Sequence, residues 1–516
     1  MTDFPEPGTV APATGRALEP IPASTLDEVR EVVARARAAQ AGWAETPLEA
    51  RAERLRAAAR RILDGEAELC RILEDETGRS PVESRMAELA TTADYVKGVI
   101  RAGRRALAPE RVKLSALDFP GKKATIELLP RGVVGVIAPW NYPVGNFYKS
   151  VWPALLAGNA VVMKPSEHTP RSGAWLRDAL AAALPPELVG LAQGAGEVGQ
   201  ALIGEVDAVV FTGSVPTGRR VAALAAERLI PASLELGGKD AAIVLADCDF
   251  PRTVAGVLQW SMHNAGQNCA GIERVYVEAA IADRFVEALG RAARRLVVAP
   301  ADGPSDLGPL QNARQLALVE AQVAAARAAG AELVCGGERT GRGYGYAPTV
   351  LDRCTDDMRV VTEETFGPVV AVLRVKDADE AVRRANASRY GLNGSVWTRD
   401  LARGEALARR LEVGVALVNN HSFTGILPET PWTGVKETGT GIAASRFAYP
   451  TYTRPRTLLV DRSSKPDPFW FPADAALEQM SLALVERNKG SFGALFTLAG
   501  LLGKRVRAIR ERVGGH

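Results

Sequence analysis

RGVVGVIAPWNYP, residues 131–143, decides the reading of the fold. Residues 133–138 form an apolar run of strand length, and Pro139 stops it. A short run with no polar face suits a strand covered by helices on both sides, as in a parallel sheet. Runs of the same kind follow at 160–163, 208–212, 241–245 and 274–278, with helix-like stretches such as 171–183 and 217–229 between them. This alternation predicts an α/β fold built on parallel sheets.

Upstream, ATIELLP (124–130) reads as a strand, and the Ala-, Arg- and Glu-rich chain before it, up to about residue 108, reads as helices. Thr25, with Glu28 three residues on and Val29, Val32, Val33 and Ala36 at helical spacing, is a capping box that starts the first helix. Residues 1–22 carry five prolines and read as an extended arm. Downstream, TRPRTLLVD (453–461) is a late strand, and 463–516 is a separate tail. Leu477, Met480 and Leu484, then Leu495, Leu498, Leu502, Val506 and Ile509, recur there at helical spacing, and Lys504, Arg505, Arg507, Arg510 and Arg512 crowd the end. Two readings are open: a helical pair packed on the protein's own surface, or a basic amphipathic helix making peripheral contact with a membrane.

Composition narrows the function. The 63 basic and 60 acidic residues leave a net charge of +3, too balanced for a dedicated nucleic-acid binder. Five cysteines without a C-x-x-C pair argue against a disulfide scaffold or a zinc site, so no metal is expected. They fit a reducing cytoplasm. No apolar run reaches 18 residues, so no transmembrane span is expected, and residues 1–15 lack the regions of a signal peptide.

Chemistry concentrates in a few stretches. Cys269 lies in GQNCAG, a polar setting unlike the surroundings expected of an inert core cysteine, where a thiolate could attack an electrophilic carbon. Glu235, in LELGGKD, is a candidate base, and Gly237 and Gly238 after it allow a ligand close to the backbone. Asn141, in APWNYP, follows the 133–138 strand, where open α/β sheets bind ligands, and its amide could donate to an oxyanion. MKPSE brings Lys164, Ser166 and Glu167 to the end of the next strand. FTGSVPTG puts Gly213, Ser214 and Gly218 before a helix beginning at about Thr217, which offers a phosphate a helix N-terminus.

In order, APWNYP, MKPSE, FTGSVPTG, LELGGK, GQNCAG, EETFGP and PWTGVKETGTG resemble the aldehyde dehydrogenase superfamily from about residue 25 to 461. The resemblance implies a Rossmann-type cofactor domain, an α/β catalytic domain and a small β flap. It implies Cys269 as nucleophile, Glu235 as the base that activates the deacylating water, and Asn141 with the Cys269 N–H as oxyanion hole. Lys164 and Glu167 match the adenosine-ribose pair, with Ser166 counted beside them, and Ser214, between Gly213 and Gly218, the pyrophosphate contact. Glu364 matches the nicotinamide-ribose residue, with Phe366 beside the ring and Trp140 in the same channel. The cofactor implied is NAD, with NADP second; the product is the free acid rather than an acyl-coenzyme A.

The implied divisions are an arm at 1–22, a cofactor domain at 23–109 and 129–235, an oligomerisation flap at 110–128 and 446–462, a catalytic domain at 236–445 and a helical extension at 463–516. The flap implies a homodimer or homotetramer. Tyr142, Asn146 and His263 are expected in a polar substrate tunnel. The family often has Lys nine residues after the oxyanion Asn; here that position is Ser150, with Lys149 beside it. A neutral His263 supplies no fixed cation, although Lys149 could supply one if it points inward; uncharged aldehydes are expected to outperform succinic semialdehyde. Two rivals remain: a semialdehyde-specific enzyme, and an esterase or thioesterase using Cys269 without a cofactor.

Overall fold

The computed structural model describes residues 7–115, 119–300, 304–341 and 343–512; the first residues of the proline-rich arm and the end of the tail lie outside this range. β1 (Glu110–Val112) and β2 (Lys122–Pro130) come first in the chain. The next five strands, β3 (Val133–Ile137), β4 (Ala160–Lys164), β5 (Val189–Leu191), β6 (Ala208–Thr212) and β7 (Ala232–Glu235), form one parallel sheet in the order β5-β4-β3-β6-β7. Every residue of β3 and β4 is buried, as strands covered on both faces require. The capping box at Thr25 and Glu28 forms as expected and opens the helix Leu26–Glu45, which buries Val29, Val32, Val33 and Ala36.

Register places the site. Ile137 pairs with both Lys164 and Phe211, and Thr212 pairs with Glu235. The carboxyl ends of β3, β4, β6 and β7 therefore reach one edge together, the edge where α/β sheets bind ligands.

β8 (Asp240–Val244), β9 (Ile272–Glu278), β10 (Glu332–Cys335), β11 (Thr349–Asp352), β12 (Val369–Val375), β13 (Asn393–Trp397) and β14 (Val415–Val418) make a second sheet. Its order is β10-β11-β12-β9-β8-β13-β14, and only the β10–β11 pair is antiparallel. β7 ends at Glu235 and β8 begins at Asp240. β15 (Thr453–Asp461) joins β1 and β2 in a third sheet, ordered β1-β2-β15.

The chain divides into two units. Met1–Ala108 with Leu129–Arg454 holds both parallel sheets; Pro109–Leu128 with Pro455–His516 holds β1, most of β2, most of β15 and the tail. In the tail, helices Ala475–Asn488 and Gly493–Arg512 pack on each other through Met480, Ala483, Ala494, Leu501 and Ile509. The expected apolar stripe is rotated: Leu502 is exposed and Arg505 is buried on the inner face. Arg505 donates to Asp474, to the Pro468 carbonyl at 2.9 Å and to the Trp470 carbonyl, ties that periodicity cannot reveal. No helix among the described residues is long and apolar enough to cross a membrane.

Candidate active site

The loop before Cys269 is built against local preference. Asn264, Ala265 and Gly266 have φ of +56°, +52° and +69°, three consecutive left-handed residues where two carry a Cβ. Each such non-glycine residue costs of order 1–3 kcal/mol, so the surroundings must hold the loop in place. Asn264 does part of this: its side-chain amide donates to the Asn141 carbonyl at 2.9 Å and to the Gln267 carbonyl at 3.1 Å. Gln267 in turn donates to the Pro309 carbonyl and accepts from the Gln311 N–H. A turn follows, with the Gly271 N–H donating to the Asn268 carbonyl at 2.9 Å, and the half-buried Cys269 lies inside it. At Gly266 a Cβ would stand 1.9 Å from the Gly367 carbonyl oxygen. Gly266→Ala should therefore destabilise the fold by about 3 kcal/mol or more, measured as a lowered denaturant midpoint. A midpoint within error of the wild type would show that the loop relaxes freely.

Cys269 and Glu235 line one narrow recess, together with Asn146, Lys149, Thr212, Leu236, Leu392, Trp432, Gly434 and Thr438. The geometry also bears on Gly237 and Gly238, whose small size serves protein groups rather than a ligand. A Cβ on Gly238 would meet the Cys269 carbonyl oxygen at 2.2 Å, and one on Gly237 would meet Glu364 Oε2 at 2.4 Å. Asn141 is buried behind the loop before Cys269, donating one side-chain N–H to the Gln267 carbonyl at 3.1 Å. Its Oδ1 accepts from Asn146 Nδ2 at 3.0 Å, which fixes the amide's orientation. An amide has two N–H donors, so the second stays available to an oxyanion.

Burial dominates the electrostatics. It pushes the Cys269 thiol up to about 12, against the opposing pull of the Lys149 ammonium. It pushes Glu235 up to about 7, again opposed by Lys149. Glu235 Oε1 is buried and has no hydrogen-bond partner. A carboxylate with a pKa near neutrality suits a general base.

The sheet edge carries the cofactor candidates. Lys164 is buried at the end of β4, donating to the Pro165 carbonyl at 3.0 Å and standing 3.9 Å from Glu167 Oε2. Ser166 is buried beside them and accepts from the His168 N–H at 3.2 Å. The helix Val215–Glu227 begins two residues before the expected Thr217, with Ser214 as its N-cap; the Ser214 side chain bonds no backbone N–H and instead donates to Thr217 Oγ1 at 3.0 Å. Its first-turn N–H groups thus remain available to a phosphate. Gly218 brings this helix close to Leu236, which a Cβ there would meet at 2.4 Å, and a Cβ on Gly213 would run into the Phe211 ring. Glu364 accepts from the Gly238 N–H at 3.0 Å, and burial and Glu273 push its carboxyl up to about 8. Phe366, at φ +53°, packs edge-on against Trp140 with centroids 5.3 Å apart. A buried cation, a helix N-terminus, a carboxylate and an aromatic pair on one edge fit a dinucleotide.

The model of the aldehyde dehydrogenase family matches residues 6–458. The chain belongs to the aldehyde dehydrogenase family. It is 37% identical over 477 residues to a Methylomonas sp. protein named 4,4'-diapolycopene aldehyde oxidase, covering 90% of this chain and 88% of that one. It is 38% identical over 464 residues to a Mycobacterium ulcerans protein provisionally named succinate-semialdehyde dehydrogenase (NADP(+)) 2, covering 88% of each. Among solved structures, lactaldehyde dehydrogenase from Escherichia coli superposes with a TM-score of 0.83 at 32% identity, over 89% of this chain and 96% of that one. This aldehyde dehydrogenase is an NAD(P)-dependent oxidoreductase acting on aldehydes.

Its expected tunnel residues divide into two places. Asn146 lines the recess; Tyr142 and His263 form a separate pair, with the hydroxyl 2.9 Å from Nδ1 and the rings stacked. Burial and Arg79 push His263 down to about 4, so it is neutral at pH 7. Lys149 lines the recess, so the cation counted as missing in the expectation of a preference for uncharged aldehydes stands beside Cys269.

Several supporting residues were not legible beforehand. Glu88 is buried against Arg79 and accepts from the Gly145 N–H at 2.6 Å and the Val144 N–H at 3.3 Å. It thereby anchors the helix Gly145–Leu156 that carries Asn146 and Lys149. Glu273 accepts from the Thr365 and Phe366 N–H groups at 2.8 and 3.0 Å and pairs with Lys239, holding the segment that follows Glu364. Nothing local in the sequence marks such long-range partners.

Proposed function

We propose that this chain oxidises its aldehyde through a covalent intermediate on Cys269, to a free carboxylic acid, with NAD preferred over NADP. The observation that carries the reading is the shared recess of Cys269 and Glu235, with the Asn141 amide fixed against the same loop. Burial keeps the resting thiol protonated, so Cys269 first loses its proton to solvent, and the nearby Lys149 ammonium favours the thiolate. Sγ adds to the carbonyl carbon, and the free Asn141 N–H with the Cys269 N–H stabilises the oxyanion. The nicotinamide dinucleotide, held by Lys164, Ser166, Glu167, Ser214 and Glu364, supplies the hydride acceptor when bound. Collapse of the oxyanion leaves an acyl thioester on Sγ. Glu235 takes a proton from water, the hydroxide attacks the thioester, and the acid leaves as Sγ is freed.

The rival hydrolase reading needs an imidazole for Cys269. Among the described residues, His263 pairs with Tyr142, His421 with Ser395 and His168 with Asn312. Aldehyde-dependent formation of reduced nicotinamide tests the choice directly: its absence, with ester hydrolysis retained, would favour the hydrolase.

The cofactor preference rests on Glu167. Lys164 is buried and committed to a backbone carbonyl, whereas the Glu167 side chain is 37% exposed and free to meet a ribose. A carboxylate accepts from a 2′-hydroxyl and repels a 2′-phosphate. The expected kcat/KM is about tenfold higher with NAD than with NADP, and Glu167→Gln should narrow that ratio. A wild-type ratio favouring NADP would overturn the assignment.

The same reading takes the protein as a cytoplasmic homodimer or homotetramer. After Thr453, β15 is exposed along its whole length, including Leu458, Leu459 and Val460, which suits a strand covered by a second subunit. Peripheral membrane contact by the C-terminal helix is supported by exposed Phe492 and Phe496 in the same unit as Lys504, Arg507, Arg510 and Arg512.

A further inference from the structure

The helix Gly493–Arg512 belongs to the tail, beyond residue 458 where the family match ends. Its inner face buries Ala494, Leu501, Arg505 and Ile509. On the opposite face Phe496, Gly500, Gly503, Arg507 and Arg510 recur at spacings of four and three, and all five are exposed. Phe492 extends this stripe one turn back; it is 77% exposed and Phe496 74%. A Cβ on Gly500 or Gly503 would meet nothing within 4 Å, so nothing else in the described chain lies over the stripe there. Two large aromatic rings are thus held in water on a face that the described chain leaves bare.

Charge says what covers it. The helix carries five basic residues against Glu511 alone. Among the described residues only Arg505 of the five has a carboxylate partner, Asp474; Lys504, Arg507, Arg510 and Arg512 have none. The favourable field of a helix C-terminus is confined to its last turn, so it accounts for Arg510 and Arg512 but not for Lys504 and Arg507. A second copy of the tail offers little to neutralise them, because Asp467, Glu486 and Asp474 already pair with Lys122, Lys489 and Arg505. An anionic lipid leaflet supplies both halves of the match: phosphate oxygens for the guanidinium forks and an acyl boundary for the rings. We propose that this stripe docks on an anionic phospholipid bilayer, with Phe492 and Phe496 entering the acyl boundary and Arg507 and Arg510 at the phosphates. The proposal rests on the peripheral membrane contact given above and names its face and its lipid chemistry.

The test is co-sedimentation of the full chain with vesicles of phosphatidylcholine alone and with vesicles of an equal mixture of phosphatidylcholine and phosphatidylglycerol. The wild type is expected to bind the mixture about tenfold more tightly than the neutral vesicles, and to be released as salt rises. Arg507→Gln with Arg510→Gln should remove most of that preference. Phe492→Ser with Phe496→Ser should weaken binding about tenfold while the salt dependence stays. All four side chains are exposed, so circular dichroism and aldehyde oxidation in solution should match the wild type in both double variants. Either double variant binding the mixture like the wild type would overturn the stripe. Equal binding of the wild type to both vesicles would overturn the anionic chemistry and leave membrane contact standing; binding to neither would remove membrane contact itself. A wild-type oligomer that dissociates in either double variant, read by light scattering, would give the stripe to a second copy instead.

Discussion

Replacing Cys269 with alanine should lower kcat/KM for aldehyde oxidation by about 10⁴-fold or more, close to the detection limit. Nucleophiles that form covalent intermediates carry effects of this size, because without the thioester the remaining groups only bind and orient. The fold should survive. The alanine removes one sulfur from a half-buried turn whose conformation is held by Asn264, Gln267 and the Gly271-to-Asn268 hydrogen bond. Cofactor affinity, read by fluorescence titration, should stay within a few-fold of the wild type. Retained turnover with aldehyde would remove the covalent mechanism; lost cofactor affinity would mean that the loop, rather than the sulfur, had been disturbed.

The second large effect is at Glu235. Glu235→Gln should slow steady-state turnover by about 10²–10³-fold, the range of a lost general base. Because Glu235 acts on the deacylating water, a first turnover of reduced nicotinamide should appear before the slow phase. The pH dependence follows from its environment. Burial raises this carboxyl to about 7, and only the ionised form can take a proton from water. In the wild type, deacylation should therefore fall as pH drops below about 7 and level off above it. In the glutamine variant that limb should be gone. An unchanged limb would assign the titration to another group, and acyl-coenzyme A as the main product would show that water is not the acceptor.

The strands were legible because they depend on short-range pattern, and the candidate site residues were singled out because seven motifs stand in one family's order. The apolar runs at 133–138, 160–163 and 208–212 are β3, β4 and β6 to within a residue or two, since helices on both faces forbid polar positions there. Cys269, Glu235 and Asn141 stood out as polar or nucleophilic residues next to those strands or their glycines. What escaped was set by distance in the chain. That Glu88 would anchor the helix bearing Lys149, 61 residues further on, is a matter of packing, and helical spacing cannot report it. The direction in which Lys149 points depends on the close approach of Trp432, nearly 300 residues downstream. The tail failed differently. Its apolar spacing allowed two neighbouring stripes, and the bonds from Arg505 to the Pro468 and Trp470 carbonyls accompany the one that includes Leu501 and excludes Leu502.

The most direct test of the account is the chemical identity of the trapped intermediate. Glu235→Gln, mixed with aldehyde and oxidised cofactor and quenched in acid within one turnover, should carry one acyl group per active site. Peptide mass spectrometry should place it on the fragment containing Cys269 and on none containing Cys70, Cys248, Cys335 or Cys354. Its amount should equal the reduced nicotinamide formed. Reduced nicotinamide without an acyl group on Cys269, or an acyl group on another cysteine, would contradict the covalent mechanism.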